Sequence, residues 1–430
     1  MRALIPVAAT VLLAIVGASA LHAGQIVVPG AVVFERDAGS ASGSDIFVSV
    51  GGGDATPLIA TAAQEFDPAL GRDGRVAFAR AVGERAEIFI FNAGKLTQAT
   101  RDNAIAQSPA WSPNSDRIAY ASSKGKGFDI LEVLVGASSA PRIVAAAPGD
   151  DITPSYGPDG RIAFASNRFG SFDLYVVGPT GKLSRLTRDG NNDLAPAWSP
   201  DGTRIAFERI DETGNADIWV LTLSTLKVSQ LTVDPADDSD PVFSPDSRQV
   251  TFVSDRSGSP ALWTMIAKPG SRPTPLAAGQ SIVDLGPSWG AKPPVGRIVQ
   301  AATASRMTLG ITCPNSGPFV GTAGNDTLNG SDTSDDTICG LSGNDTIDGK
   351  GGKDTVLGGD GQDSVSGGNG SDPYVSGGPG EGDQLFGGDG ADKLWARDRG
   401  QVDFLDGGPG FDRAQYDLVD HRISIAAIIP

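Results

Sequence analysis

The chain has 430 residues, with 51 Asp and Glu against 34 Lys and Arg, a net charge of −17, 57 glycines, two cysteines and two histidines. The length permits two or three domains, and 40% hydrophobic content is enough for a real core, which argues against wholesale disorder. The acidity and the lack of any basic run speak against nucleic acid as a partner, and two histidines leave little room for triads or histidine-rich metal sites.

Residues 1–23 begin with Arg2, continue as an apolar run from Ala3 to Val16, and end in small residues that include Ala18 and Ala20. This is the form of a secretory signal peptide. The run is shorter than the roughly 20 residues a bilayer crossing needs, and no later segment is long enough either. The chain is therefore expected to be exported, with no membrane span.

From residue 24 to 290 one phrase recurs, in its fullest form Pro196-Ala197-Trp198-Ser199-Pro200-Asp201-Gly202 followed by Arg204-Ile205-Ala206-Phe207 and Asp217-Ile218-Trp219-Val220. Its anchoring prolines are Pro68, Pro109, Pro154, Pro196, Pro241 and Pro287, spaced by 41, 45, 42, 45 and 46 residues. Each unit divides into four short segments separated by Gly, Pro, Asp and Ser, the pattern of a four-stranded antiparallel blade. The first unit begins at a second strand, Ala31 to Arg36, and the last stops after a first strand, Gly286 to Gly290. Two complementary fragments of one blade predict a ring closed by pairing the two ends of the repeat region, which removes the open sheet edges. The repeated phrase resembles the propeller repeat of TolB-like proteins, which implies a six-bladed β-propeller. It also implies an interaction platform, although similar repeats accompany some peptidases and lyases. No Gly-x-Ser-x-Gly nucleophile phrase is present.

Three residues before the anchoring prolines stand Glu65, Ala106, Asp151, Asp193, Asp238 and Asp284. Ring symmetry would gather the five carboxylates at one mouth of the central channel, as a site for a cation or a basic peptide. The alternative is that each caps a turn locally by accepting backbone N–H groups. A competing function, an extracellular carbohydrate-active enzyme (glycosidase or lyase) in the channel, would need two carboxylates, for which the loop residues Glu208, Asp211 and Glu212 are candidates.

The segment 291–317 reads as a linker, beginning Ala291-Lys292-Pro293-Pro294. Beyond it the composition shifts: between Gly317 and Asp412 lie 17 Asp, one Glu, five Lys plus Arg and 26 glycines. Cys313 and Cys339 flank the start of this region and are expected to form a disulfide in an oxidising compartment. Aspartates fall at 326, 336, 345, 354, 363, 372, 383, 392, 403 and 412, mostly nine apart. Two residues after each stands Leu328, Ile338, Ile347, Val356, Val365, Tyr374, Leu385, Leu394, Leu405 or Ala414. Six glycine-rich residues make a turn and three make a strand with one inward side chain, so two units form one coil of a parallel β-roll. Asp345 then stacks over Asp363 and Asp354 over Asp372, and the like charges require a hard cation between the turns. One apolar side chain per nine residues is little burial against the entropy of ordering the chain, so this region is expected to fold only with the cation.

The array resembles the RTX (hemolysin-type) calcium-binding nonapeptide repeats, an architecture whose period is one of the recognised repeat signatures. The resemblance implies several Ca²⁺ ions, with Asp326, Asp336, Asp345, Asp354, Asp363, Asp372, Asp383 and Asp392 and the turn glycines Gly343, Gly352, Gly361, Gly370 and Gly390 forming the sites. The expected organisation is all-β: a signal peptide (1–23), a six-bladed propeller (24–290), a linker (291–317), a calcium-binding β-roll (318–415) and a C-terminal cap or tail (416–430). The expected function is that of a secreted, non-enzymatic, monomeric calcium-binding protein with a protein or glycan ligand at its propeller.

Overall fold

The computed structural model describes residues 30–299 and 319–428, except 41–42, 62, 83–84, 126, 138–139, 212–213, 258–259, 277–282, 373, 378–382, 391, 397–403, 409–412, 417–420 and 424–426. The expected signal peptide, Cys313, Glu212, Asp403 and Asp412 lie outside the described residues. Every regular element among the described residues is a β-strand.

Six sheets form the propeller. Blade 5 shows the plan, with strands Asn192–Trp198, Arg204–Ile210, Ala216–Thr222 and Lys227–Gln230 paired in that order. The Pro-Asp-Gly phrase closes the first hairpin, where Gly202 N–H donates to the Ser199 carbonyl with φ 72° at Gly202. The second strand of each blade is buried on both faces, as in Ile205, Ala206 and Phe207. A strand sandwiched between neighbouring sheets reads as a continuous apolar run, which is why Arg-Ile-Ala-Phe shows no alternation. Fourth strands such as Leu183–Arg185 lie at the rim and are mostly exposed.

Blade 1 closes the ring with strands from both ends of the repeat region. Val283–Gly290 pairs antiparallel with Ala31–Ser40, matching Val32 to Trp289 and Arg36 to Asp284. The chain then continues along the same sheet: Ile298–Val299, inside the segment expected to be a linker, pairs in parallel with Ile59 and Ala60.

The first strand of every blade carries a bulge beside the channel. The residue before each anchoring proline has a left-handed backbone: Asp67 (φ 48°), Ser108 (50°), Thr153 (48°), Ala195 (44°), Asp240 (48°) and Gly286 (51°). Each falls at a register shift in the pairing with the second strand. A bulge at this point bends the strand and re-aims its side chains. The prolines that follow donate no N–H, so they do not need the ladder bond that the bulge interrupts.

The C-terminal region is a two-sheet parallel roll with six strands in each sheet. Thr346–Asp348 pairs with Ser364–Asn369 and Thr355–Asp360 with Tyr374–Ser376. Ile338, Ile347, Val356, Val365, Val375, Leu385, Leu394, Leu405 and Ala414 form one buried column, with Leu328 packed on its end. The expected inward residue Tyr374 is a correction: the chain has one more residue between Asp372 and the core position, so Val375 is buried and Tyr374 faces outward. His421–Ile423 and Ala427–Ile428, in the segment expected to be a cap or tail, add a last strand to each sheet.

Truncating the column should show its weight. Val375→Ala is expected to destabilise the folded roll by about 2 kcal/mol, measured by urea unfolding at saturating calcium, through lost burial and a residual cavity.

Candidate metal centre and propeller channel

The roll's turns follow paths that only glycine accepts. Gly343, Gly352, Gly361, Gly370 and Gly390 have φ of 110°, 137°, 136°, 144° and 153°. These turns bring each aspartate against the backbone of the coil before it. The Asp345 N–H donates to Asp363 Oδ1 at 2.7 Å, Asp354 N–H to Asp372 Oδ1 at 2.8 Å, Asp363 N–H to Asp383 Oδ1 at 2.7 Å, and Asp372 N–H to Asp392 Oδ1 at 2.8 Å. The aspartates therefore stack as a ladder in which one carboxylate oxygen serves the backbone.

The other oxygen is differently placed. Oδ2 of Asp345, Asp354 and Asp372 is buried and accepts no hydrogen bond. It points at a glycine five residues earlier: a Cβ built on Gly340 would lie 2.2 Å from Asp345 Oδ2, one on Gly349 2.6 Å from Asp354 Oδ2, and one on Gly367 2.2 Å from Asp372 Oδ2. Burial pushes the Asp354 carboxyl up to about 7 and the Asp372 carboxyl up to about 6, with Asp372 adding repulsion at Asp354. Among the described residues no three Asp, Glu, His or Cys side chains converge. A cation here would take one carboxylate oxygen and backbone carbonyls, a hard all-oxygen donor set suited to calcium and poor for zinc. The orphaned oxygens and the cradles without side chains fit that ion.

Asp326 and Asp336 differ from the ligand role expected of them. Asp326 Oδ2 accepts from the Thr322 N–H (2.6 Å) and hydroxyl (2.9 Å), and Asp336 Oδ2 from the Ser331 N–H and hydroxyl, both 2.7 Å. Their partly exposed carboxylates cap the first coil, and their N–H groups begin the ladder by donating to Asp345 and Asp354. Cys339 is buried in the strand Thr337–Ser342, next to Val320.

In the propeller, a cavity of about 310 Å³ runs between all six anchoring prolines, with Trp111, Trp198 and Trp289 in its wall. The five ring carboxylates do not line it. Glu65, Asp151, Asp193, Asp238 and Asp284 are all buried, and each meets an arginine of its own blade. Arg209 chelates Asp193 at 2.7 and 2.9 Å, and Arg36 chelates Asp284 at 2.6 and 2.7 Å. Arg168 reaches Asp151 at 2.8 Å, Arg256 reaches Asp238 at 2.7 Å, and Arg80 reaches Glu65 at 3.4 Å. The guanidinium groups also stack on aromatic rings, as Arg209 does on Trp219 and Arg256 on Trp263. Blade 3 fits the same reading: the carboxylate is replaced by Ala106 opposite Ser122, and the position two residues on, Arg168 and Arg256 in blades 4 and 6, holds Lys124. The expected open cation site is thus replaced by internal ion pairs, and the local-cap alternative by cross-strand pairing. The sequence carried the signal, since Arg36, Arg80 and Arg209 end the second-strand phrase in blades that own a carboxylate, and Arg168 and Arg256 follow two residues after a serine. Of the loop carboxylates considered for catalysis, Glu208 is buried within a strand and neither it nor Asp211 lines the cavity.

This is a propeller of TolB type joined to a calcium-ladder roll. A family model described as the TolB beta propeller domain matches residues 75–211 and 180–291, and one described as the RTX calcium-binding nonapeptide repeat matches 319–347, 340–372 and 378–414. The chain belongs to the TolB beta propeller domain family and carries RTX calcium-binding repeats. It is 36% identical over 138 residues to a TolB homolog of Chlorobium luteolum, covering 31% of this chain and 30% of that protein. It is 34% identical over 120 residues to a TolB homolog of Chlorobium chlorochromatii, covering 27% and 26%. These matches span less than a third of those relatives' length. The crystal structure of TolB from Acinetobacter baumannii superposes with a TM-score of 0.54 at 20% identity, over 60% of this chain and 66% of that one, a likeness of fold.

Two outcomes test the ion-pair reading. Asp284→Ala alone leaves the buried Arg36 without its carboxylate and should cost about 3–5 kcal/mol in urea unfolding, whereas Asp284→Ala with Arg36→Ser, the pair that Ala106 and Ser122 form in blade 3, should recover much of that loss. Glu65 supplies a pH signature, because burial raises its pKa to about 7, against the pull of Thr61 and Arg80. Between the ordinary glutamate range and pH 7 the folded state keeps a proton that the unfolded state has released. Propeller stability should therefore fall as pH rises from about 4.5 to 7 and then level off. In Glu65→Gln that slope should be reduced.

Proposed function

We propose that this chain is an exported, non-catalytic binding protein whose roll folds on calcium and whose propeller presents the cavity between its six prolines to a protein or glycan. The observation that carries the reading is the ladder of buried aspartates in which Oδ2 of Asp345, Asp354 and Asp372 has no hydrogen-bond partner. A buried carboxylate oxygen without a donor is costly, and three in register favour an ion that supplies the missing charge. The family match to calcium-binding repeats supports the same ion. Export is supported by the leader-like residues 1–23, and it would bring the roll to the calcium concentrations of about 0.1 to 1 mM at which extracellular modules fill. The same compartment favours the Cys313–Cys339 disulfide. A binding role for the propeller is supported by a channel walled with proline and tryptophan.

Calcium titration of the full chain, followed by circular dichroism and calorimetry, tests this. Asp354→Asn keeps an acceptor for the Asp336 N–H but removes the charge, and should weaken calcium binding at least about tenfold, the scale of one charged contact. Asp336→Asn, at a residue already capped by Ser331, should change it much less. A roll that neither binds calcium nor gains structure with it would overturn the proposal.

A further inference from the structure

The extra residue that turns Val375 into the roll's core sends Tyr374 out of it, and its ring has a definite destination. Tyr374 packs on a propeller cluster that includes Val32, Phe34, Phe47 and Trp289 of blade 1 and Val253 and Leu262 of blade 6. That cluster lies along the seam where the ring closes, beside the pairing of Val32 with Trp289.

A second contact stands one coil further on. In the strand register Val375 lies beside Leu394, which places Lys393 next to Tyr374 on the roll's outer face. Lys393 is 2% exposed; its ammonium donates to Ser44 Oγ at 2.5 Å and stands 3.9 Å from Glu35 Oε1. Ser44 and Glu35 are 0% and 1% exposed, and both belong to blade 1. A lysine and a glutamate from different domains, each removed from water, are tolerated when they meet in one arrangement. The glutamate is unusual for its place: the matching position holds Ala79, Ala121, Ala165 and Val253 in four other blades, and a glutamate again only in blade 5, at Glu208.

Both contacts are wired to the metal ladder. Tyr374 follows Asp372 by two residues, Lys393 directly follows Asp392, and the Asp372 N–H donates to Asp392 Oδ1 at 2.8 Å. Whatever orders those two turns also sets the spacing of the tyrosine and the lysine. We propose that the roll is a calcium-dependent clamp on the propeller: ions at the Asp372 and Asp392 turns hold Tyr374 and Lys393 against blade 1 and so lock the joint between Ala31–Ser40 and Val283–Gly290. The clamp rests on the calcium reading of the roll. It makes the integrity of the propeller respond to a ligand bound in the other domain, through differential docking of one element.

The test uses the full chain, with calorimetric calcium titration run beside hydrogen exchange of the seam amides, from Ala31 to Phe34 and from Leu285 to Trp289. In the unmodified chain calcium is expected to slow seam exchange at least about tenfold and to raise the propeller's thermal midpoint by about 2–4 °C. Tyr374→Ser with Lys393→Gln should bind calcium at the Asp345 and Asp354 turns as before but lose the seam response. Tyr374→Ser alone leaves the ion pair intact, keeps the test valid if the double variant fails to fold, and should lose part of the response. Calcium binding without seam protection in the unmodified chain, or full protection retained in the double variant, overturns the clamp alone. Absence of calcium binding overturns the clamp together with the calcium reading.

Discussion

A carboxylate taken out of water stays ionised only if a cation or several donors stand beside it, and this chain buries such groups in three settings that differ in what answers the charge. Inside the propeller blades the answer is arginine, chelating Asp193, Asp284 and their counterparts from the same blade. At the domain junction it is Lys393, brought to Glu35 from the roll. In the roll Oδ2 of Asp345, Asp354 and Asp372 has no hydrogen-bond partner, and the proposed answer is a calcium ion. The first setting is a permanent part of the fold, and the third depends on the surroundings. The second inherits that dependence, because the lysine sits on the ladder's own coils.

The strongest periodicities survived into the structure because each reports burial directly. Six copies of a repeat of about 44 residues make six sheets, and complementary fragments at the ends of the array need a shared blade, which the pairing of Val32 with Trp289 supplies. A nine-residue period with one apolar position yields a single column of inward side chains, and the expected residues fill it except at Tyr374. There the pattern allowed two adjacent apolar residues, Tyr374 and Val375. Counting from the aspartate favoured the first, whereas the narrow interior of a roll and the added residue favour the smaller second. The outward tyrosine then became an interface residue, a role that no local pattern announces.

The acidic ring was legible as a repeat, but neither the open site nor the local cap that its spacing allows is what the blades build. Symmetry located the five carboxylates correctly in each blade but said nothing of which way they face. Facing is set by the bulge at Asp67, Ser108 and their equivalents, whose left-handed backbone is hidden in a sequence that places ordinary residues before proline. An internal clue is blade 3, where Ala106 replaces the carboxylate and Lys124 stands in the place of Arg168 and Arg256. In the roll, Asp326 and Asp336 fit the spacing as well as their successors, and only the hydroxyls of Thr322 and Ser331 distinguish a cap from a ligand.

The central claim is that the second oxygens of the aspartate ladder hold calcium. Anomalous diffraction from crystals grown with calcium tests it most directly. The account predicts difference peaks between successive turns, within about 2.3–2.6 Å of Oδ2 of Asp345, Asp354 and Asp372, and none at Asp336 Oδ2. Ordered crystals grown in millimolar calcium with no peak beside those oxygens, or with peaks only among the propeller carboxylates, would contradict it.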